Sequence, residues 1–135
     1  MDQLSADEAQ DSEFIFELAM AYDEVGRIQG DPHYTNLGDL EGTTQSYQKA
    51  VDLLEEIWKK DPSNIRFQHA LASSYGRLAV AKSWAGAQDS SIMFSERGVA
   101  LLQTLDMKAE PTVQHDLGRM LSELGWYWIW QGKKA

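Results

Sequence analysis

Between Asp39 and Lys60 the positions Leu40, Thr43, Tyr47, Ala50, Val51, Leu54, Ile57 and Trp58 recur at steps of three and four, while Glu41, Gln45, Gln48, Asp52, Glu55 and Lys59 fall mostly on the other side. A period of about 3.6 residues gathers such a set into one stripe, so the spacing predicts an amphipathic helix. Asp61-Pro62-Ser63-Asn64 ends it, because proline clashes with a preceding helical turn and Ser or Asn can cap the helix that follows. Prolines occur only at 32, 62 and 111, and the stretches between them keep helical spacing with little of the alternation of a half-buried strand. The pattern predicts helices throughout.

The helices also repeat. A shift of 46 places sets Gln68, His69, Leu71, Ala72, Leu78, Ala79, Trp84 and Gly86 on Gln114, His115, Leu117, Gly118, Leu124, Gly125, Trp130 and Gly132. A shift of 48 sets Gly38, Val51, Leu53 and Leu54 on Gly86, Val99, Leu101 and Leu102, with Thr43 and Ala50 facing Ser91 and Gly98. A shift of 53 sets Leu18, Ala19, Tyr22, Val25 and Gly26 on Leu71, Ala72, Tyr75, Leu78 and Ala79. A first helix therefore recurs three times and a second helix twice. One hairpin of this kind cannot bury its own apolar stripe, so neighbouring units must stack. The expected architecture is one all-α domain over 1–135, an antiparallel helix-hairpin solenoid of about six helices. Its parts are an N-terminal capping helix over 1–10, repeat one over 12–61 with a loop insertion at 31–37, repeat two over 63–107, and the first helix of a third repeat over 111–132.

The Leu-Ala-x-x-Tyr of the first helix (18–22 and 71–75), and Gly38-Asp39-x-x-Gly42-x-x-x-Ser46-Tyr47-x-Lys49-Ala50 followed by Asp61-Pro62, resemble the tetratricopeptide repeat. More narrowly, Glu17 to Tyr22, Val25-Gly26 through Gly30, Asn36 to Asp39 and Ser46 to Ala50 are similar to repeat regions attached to bacterial serine/threonine kinases. The resemblance implies a right-handed superhelix whose first helices line a concave face. It also implies a scaffold or adaptor that holds a protein or peptide segment there, in a bacterial signalling protein. The chain departs from the pattern at the 31–37 insertion and at Ser95, where the aromatic of the second helix is expected. The lysine and asparagine with which chaperone-binding relatives clamp a carboxylate are replaced by Phe16 and Met20.

Composition narrows the partners. The 135 residues are 43% hydrophobic, enough for one core, and 12 basic against 21 acidic residues give a net charge of -9. That charge disfavours a nucleic-acid backbone or an anionic membrane surface. There is no cysteine, so neither disulfides nor thiolate metal sites hold the fold. The acidic N-terminus is unlike a secretory signal, and no apolar run approaches the ~20 residues that span a bilayer. The expectation is a soluble chain without membrane insertion, with the cytoplasm favoured. No P-loop, kinase catalytic loop, Gly-x-Ser-x-Gly elbow or His-Glu-x-x-His helix is present, and the glycines at 26 and 30 lack a phosphate-reaching lysine and read as a turn. Neither an enzyme nor a cofactor is expected.

Two surfaces carry the candidate chemistry. His69 and His115 share one position of successive repeats, which in the family points to the concave face; Arg66, Ser73, Arg77, Arg119 and Glu123 join them by helical spacing. Adjacent helices lie about 10 Å apart, so two imidazoles would need a third ligand to hold a metal, and no metal site is expected. The stripe is locally basic on an acidic protein. It reads either as a face that orients an acidic peptide or terminal carboxylate, or as a solvated face with incidental arginines. Phe16 and Met20 either add an apolar floor or are covered by the N-terminal helix around Leu4 to Ala9. The run Trp126-Tyr127-Trp128-Ile129-Trp130 surrounds its helix with rings that cannot all face one partner. Further repeats of a longer parent, a second copy joined through Trp126, Trp128 and Trp130, or a ligand could meet it. The second of these makes the alternative function a homo-oligomerisation element.

Overall fold

The computed structural model describes residues 6–105, 115 and 118–122. Four helices follow one another, α1 (Ala6–Gly30), α2 (Leu40–Lys60), α3 (Ile65–Trp84) and α4 (Gln88–Gln103). Residues 118–122 are also helical, and no strand occurs among the described residues. Of the capping helix expected over 1–10, residues 1–5 lie outside the described residues, and residues 6–10 are the opening turns of α1. Nothing between Ala6 and Gly30 interrupts a helix, and Asp7 and Glu8 suit the positive end of the helix dipole.

The boundaries follow from local chemistry. Past Gly30 the chain turns back, and the amides of Leu37 and Asp39 donate to the carbonyls of Ile28 and Gln29 at 3.0 and 2.8 Å. These bonds satisfy acceptors that the end of α1 leaves open. Asp39 caps α2 through Gly42 N at 2.8 Å, and Asn64 caps α3 through Phe67 N at 3.1 Å. α2 buries the stripe its spacing predicts, from Thr43 and Tyr47 to Leu54 and Ile57.

The two hairpins match atom for atom at their tightest point. Thr43 Oγ1 donates to the carbonyl of Gly26 at 2.7 Å, and Ser91 Oγ donates to the carbonyl of Ala79 at 2.7 Å. These are equivalent positions of the two units on both helices. Gly38 and Gly86, also equivalent, both adopt left-handed backbone, with φ of 80° and 87°. Only a residue without Cβ does so cheaply. The units differ where Tyr47 becomes Ser95. A Cβ on Gly26 would lie 2.7 Å from the Tyr47 ring, whereas in the unit with the smaller Ser95 the equivalent position is Ala79. The missing aromatic of the second unit sits one place earlier: Phe94 is buried and stacks on Tyr75, ring centres 6.0 Å apart.

Each helix packs on the next in sequence, and α1 and α3 also lie side by side. Glu13 meets Arg66, Phe16 stacks on Phe67 at 5.6 Å, and Asp23 meets Ser74 and Arg77. Because residues fifty-one to fifty-four positions apart pair in order along both helices, α1 and α3 run in the same direction. The main core joins α1, α2 and α3 around Tyr47, Leu54, Leu71 and Leu78, and Phe94 of α4 enters it. A second cluster of Ala72, Val99, Leu102, Leu105 and Met120 links α3 and α4 to the segment at 118–122.

Candidate functional site

The face on which α1 and α3 meet carries a cleft of ≈ 360 Å³ lined by Met20, Asp23, Glu24, Arg27, Tyr34, Tyr47 and Arg77. Tyr34 and Arg77 also border a smaller hollow of ≈ 70 Å³ with Asp31, His33, Val80 and Arg119. The insertion at 31–37 thus forms one wall. It is held by Asp31, whose Oδ1 accepts from His33 N at 2.8 Å and whose Oδ2 accepts from the Tyr47 hydroxyl. The Asp31 carbonyl takes Tyr34 N at 3.1 Å and Asn36 Nδ2 at 2.9 Å. A buried aspartate therefore fixes the loop to α2 and presents Tyr34, half its surface exposed, at the rim.

Asp23 is the hinge of the cleft. It is buried, and Oδ2 accepts from Ser74 Oγ at 3.0 Å and from Arg77 at 3.2 Å, joining α1 to α3. Burial pushes its carboxyl above the ordinary aspartate range, against the opposing pull of the Arg77 guanidinium and the Ser74 hydroxyl. At the rim Glu24 pairs with Arg27 at 2.7 Å, and the hydrogen bond from that guanidinium lowers the Glu24 carboxyl. Arg27 in turn lies over the Tyr34 ring, 5.3 Å from its centre. Each guanidinium at this cleft thus faces a carboxylate of α1.

The basic stripe expected from sequence is divided. Arg77 and Arg119 border the hollow beside the loop. Arg66 and His69 instead line an open depression with Ser63, Asn64 and Ile65 at the start of α3. Ser73 lies on α3 between the two groups and is partly buried, and His115 is exposed. Arg66 pairs with Glu13 and lies over the Phe16 ring at 4.3 Å. Phe16 is thereby covered by Arg66 and Phe67 of α3, and residues 6–10, being part of α1, do not form a separate cover. Glu123, Trp126, Trp128 and Trp130 lie outside the described residues. Among the described residues, no group of three or more His, Asp or Glu is placed to hold a metal, and no helix is long and apolar enough to cross a membrane.

Sequence reasoning missed Asp23, Arg27, Asp31 and Tyr34. The register of 53 held a partial signal, since it sets Arg66 on Glu13 and Arg77 on Glu24, beside Asp23. No protein-family model matches the chain, and neither a curated protein nor a solved structure gives a significant match.

Proposed function

We propose that the chain is a tetratricopeptide-like interaction module of a bacterial signalling protein, in which the first helices hold a segment of a partner protein. The observation that carries this reading is the cleft between α1, α3 and the 31–37 loop, whose ≈ 360 Å³ suits one large side chain of a bound segment. Equivalent hydrogen bonds in two successive hairpins support a solenoid, a design that presents its first helices as a continuous surface. The paired arginines favour a segment of mixed polarity over a purely acidic one. A neutral or zwitterionic contact can exchange with the Glu24–Arg27 pair, whereas an anion would compete with carboxylates already in place. Tyr34 supplies a ring on which a planar or apolar group can rest.

Selection of displayed random peptides on the intact protein tests the reading. Selected peptides should lose about tenfold or more in affinity on Tyr34→Ala and on Glu24→Ala, while circular dichroism stays unchanged because both residues are exposed. Peptides that bind both variants as well as the parent would remove the cleft from the binding surface.

A further inference from the structure

Phe14, Leu18, Ala21, Val25 and Ile28 follow one another along α1 at alternating steps of four and three, and all are exposed, Phe14 at 71% and Val25 at 47%. Their equivalents fifty-three places on are Phe67, Leu71, Ser74, Leu78 and Ala81. All of these are buried, Phe67 at 3% and Leu78 at 0%. On α3 this face is covered by helices: Phe67 stacks on Phe16, Ser74 donates to Asp23, and Leu71, Leu78 and Ala81 share a core with Ala19, Val51 and Leu54. α1 therefore carries an uncovered copy of a face that, on α3, receives a helix.

The borders of the two faces have opposite charge. On α3 the flanking residues are Arg66 and Arg77, which pair with the acidic side chains Glu13 and Asp23 of the helix they receive. At the same two positions α1 has Glu13 and Glu24, which pair with Arg66 and Arg27, and the further exposed acids nearby are Asp11 and Glu17. We propose that this face of α1 docks an amphipathic helix of a partner protein, with an apolar seam bordered by lysine or arginine. A heptad spacing of about 3.5 residues, which the exposed stripe shares, is what a packed helix pair requires. A second copy of the chain would bring acid to acid at this border and add to a net charge of -9, so it fits less well. The apolar seam does not rest on the cleft, which this face meets only at Glu24 on its border.

Fluorescence anisotropy on the intact 135-residue chain tests it. The probe is a labelled synthetic helix of leucine heptads with lysine at the flanking e and g positions. One twin peptide carries glutamate there, and another has the lysine composition in scrambled order. The lysine peptide should bind, with affinity falling as salt is added, and both twins should bind at least about tenfold more weakly. The double variant Leu18→Ser, Val25→Ser should lose binding by about tenfold or more with an unchanged circular dichroism spectrum, and Tyr34→Ala should bind as the parent does. Equal binding of the scrambled peptide, no binding of the lysine peptide, or an unaffected serine variant each overturns the proposal. So does a parent dimer in sedimentation equilibrium that the two serines dissolve, which would assign the face to a second copy.

Discussion

At the scale of single residues, two tyrosines make the fold sensitive to alkali. Burial raises the Tyr47 phenol above its ordinary value of 10.0, and its bond to Asp31 raises it further; burial and Glu55 act on Tyr75 in the same order. Both phenols therefore keep their protons in the fold after an unfolded chain has begun to lose them. The folded state then binds more protons than the unfolded one, so stability is fully present below about pH 10 and declines as pH rises beyond it. Urea unfolding from about pH 9 to about pH 11 should show this decline, and Tyr47→Phe should make it shallower. The substitution lowers stability at neutral pH, because Asp31 Oδ2 loses its donor. Identical slopes for parent and variant would mean that other groups govern alkaline unfolding.

At the scale of helices, Gly26 and Tyr47 exchange size with Ala79 and Ser95 across the two hairpins. In Gly26→Ala the new Cβ would lie 2.7 and 2.8 Å from two carbons on one edge of the Tyr47 ring, whose hydroxyl is held by Asp31. Overpacking of that kind costs roughly 1–3 kcal/mol, which outweighs the gain of about 1 kcal/mol from replacing a helical glycine. The substitution should destabilise the parent. In a Tyr47→Leu background, which removes the ring edge and keeps an apolar filler, it should cost at least about 1 kcal/mol less, measured as a double-mutant cycle in urea. Additive effects would show that Gly26 is needed for some reason other than the ring. The same pair shows what the sequence discloses at this scale. The shifts of 48 and 53 locate Thr43, Ser91, Gly26 and Ala79 correctly, because small and hydroxyl residues stand out where two helices touch. Periodicity locates the apolar stripe of α2 as well, since every helix face that is apolar there is also covered. It misleads on α1, where Phe14, Val25 and Ile28 are exposed while Ser12, Asp23 and Gly26 are buried. Spacing says which residues share a face but not which face has a neighbour. For the same reason Arg66 and Arg77 could be placed on α3, while the carboxylates that meet them, more than fifty positions away, could not.

At the scale of the whole molecule, helices pack on their sequence neighbours, and further ties run from α1 to α3 and from α3 to Met120. The apolar contacts divide into a main core over α1, α2 and α3, which α4 enters through Phe94, and a smaller one over α3, α4 and Met120. Where helices contact mainly their sequence neighbours, stability is close to a sum of local contributions, so damage at one end should stay near that end. Leu102 is fully buried in the smaller cluster, and Leu102→Ala should cost about 2–5 kcal/mol locally. Native-state hydrogen exchange should then show the amides of α4 losing the most protection, those of α3 less, and those of α1 and α2 the least. The Asp23 link limits the damage reaching α1, because it joins α1 to α3 at Ser74 and Arg77, away from the face of α3 that meets Leu102 through Ala72. An equal loss in all four helices would mean that the hairpins unfold as one cooperative body. In that case the repeat would describe the descent of the sequence but not how its stability is divided.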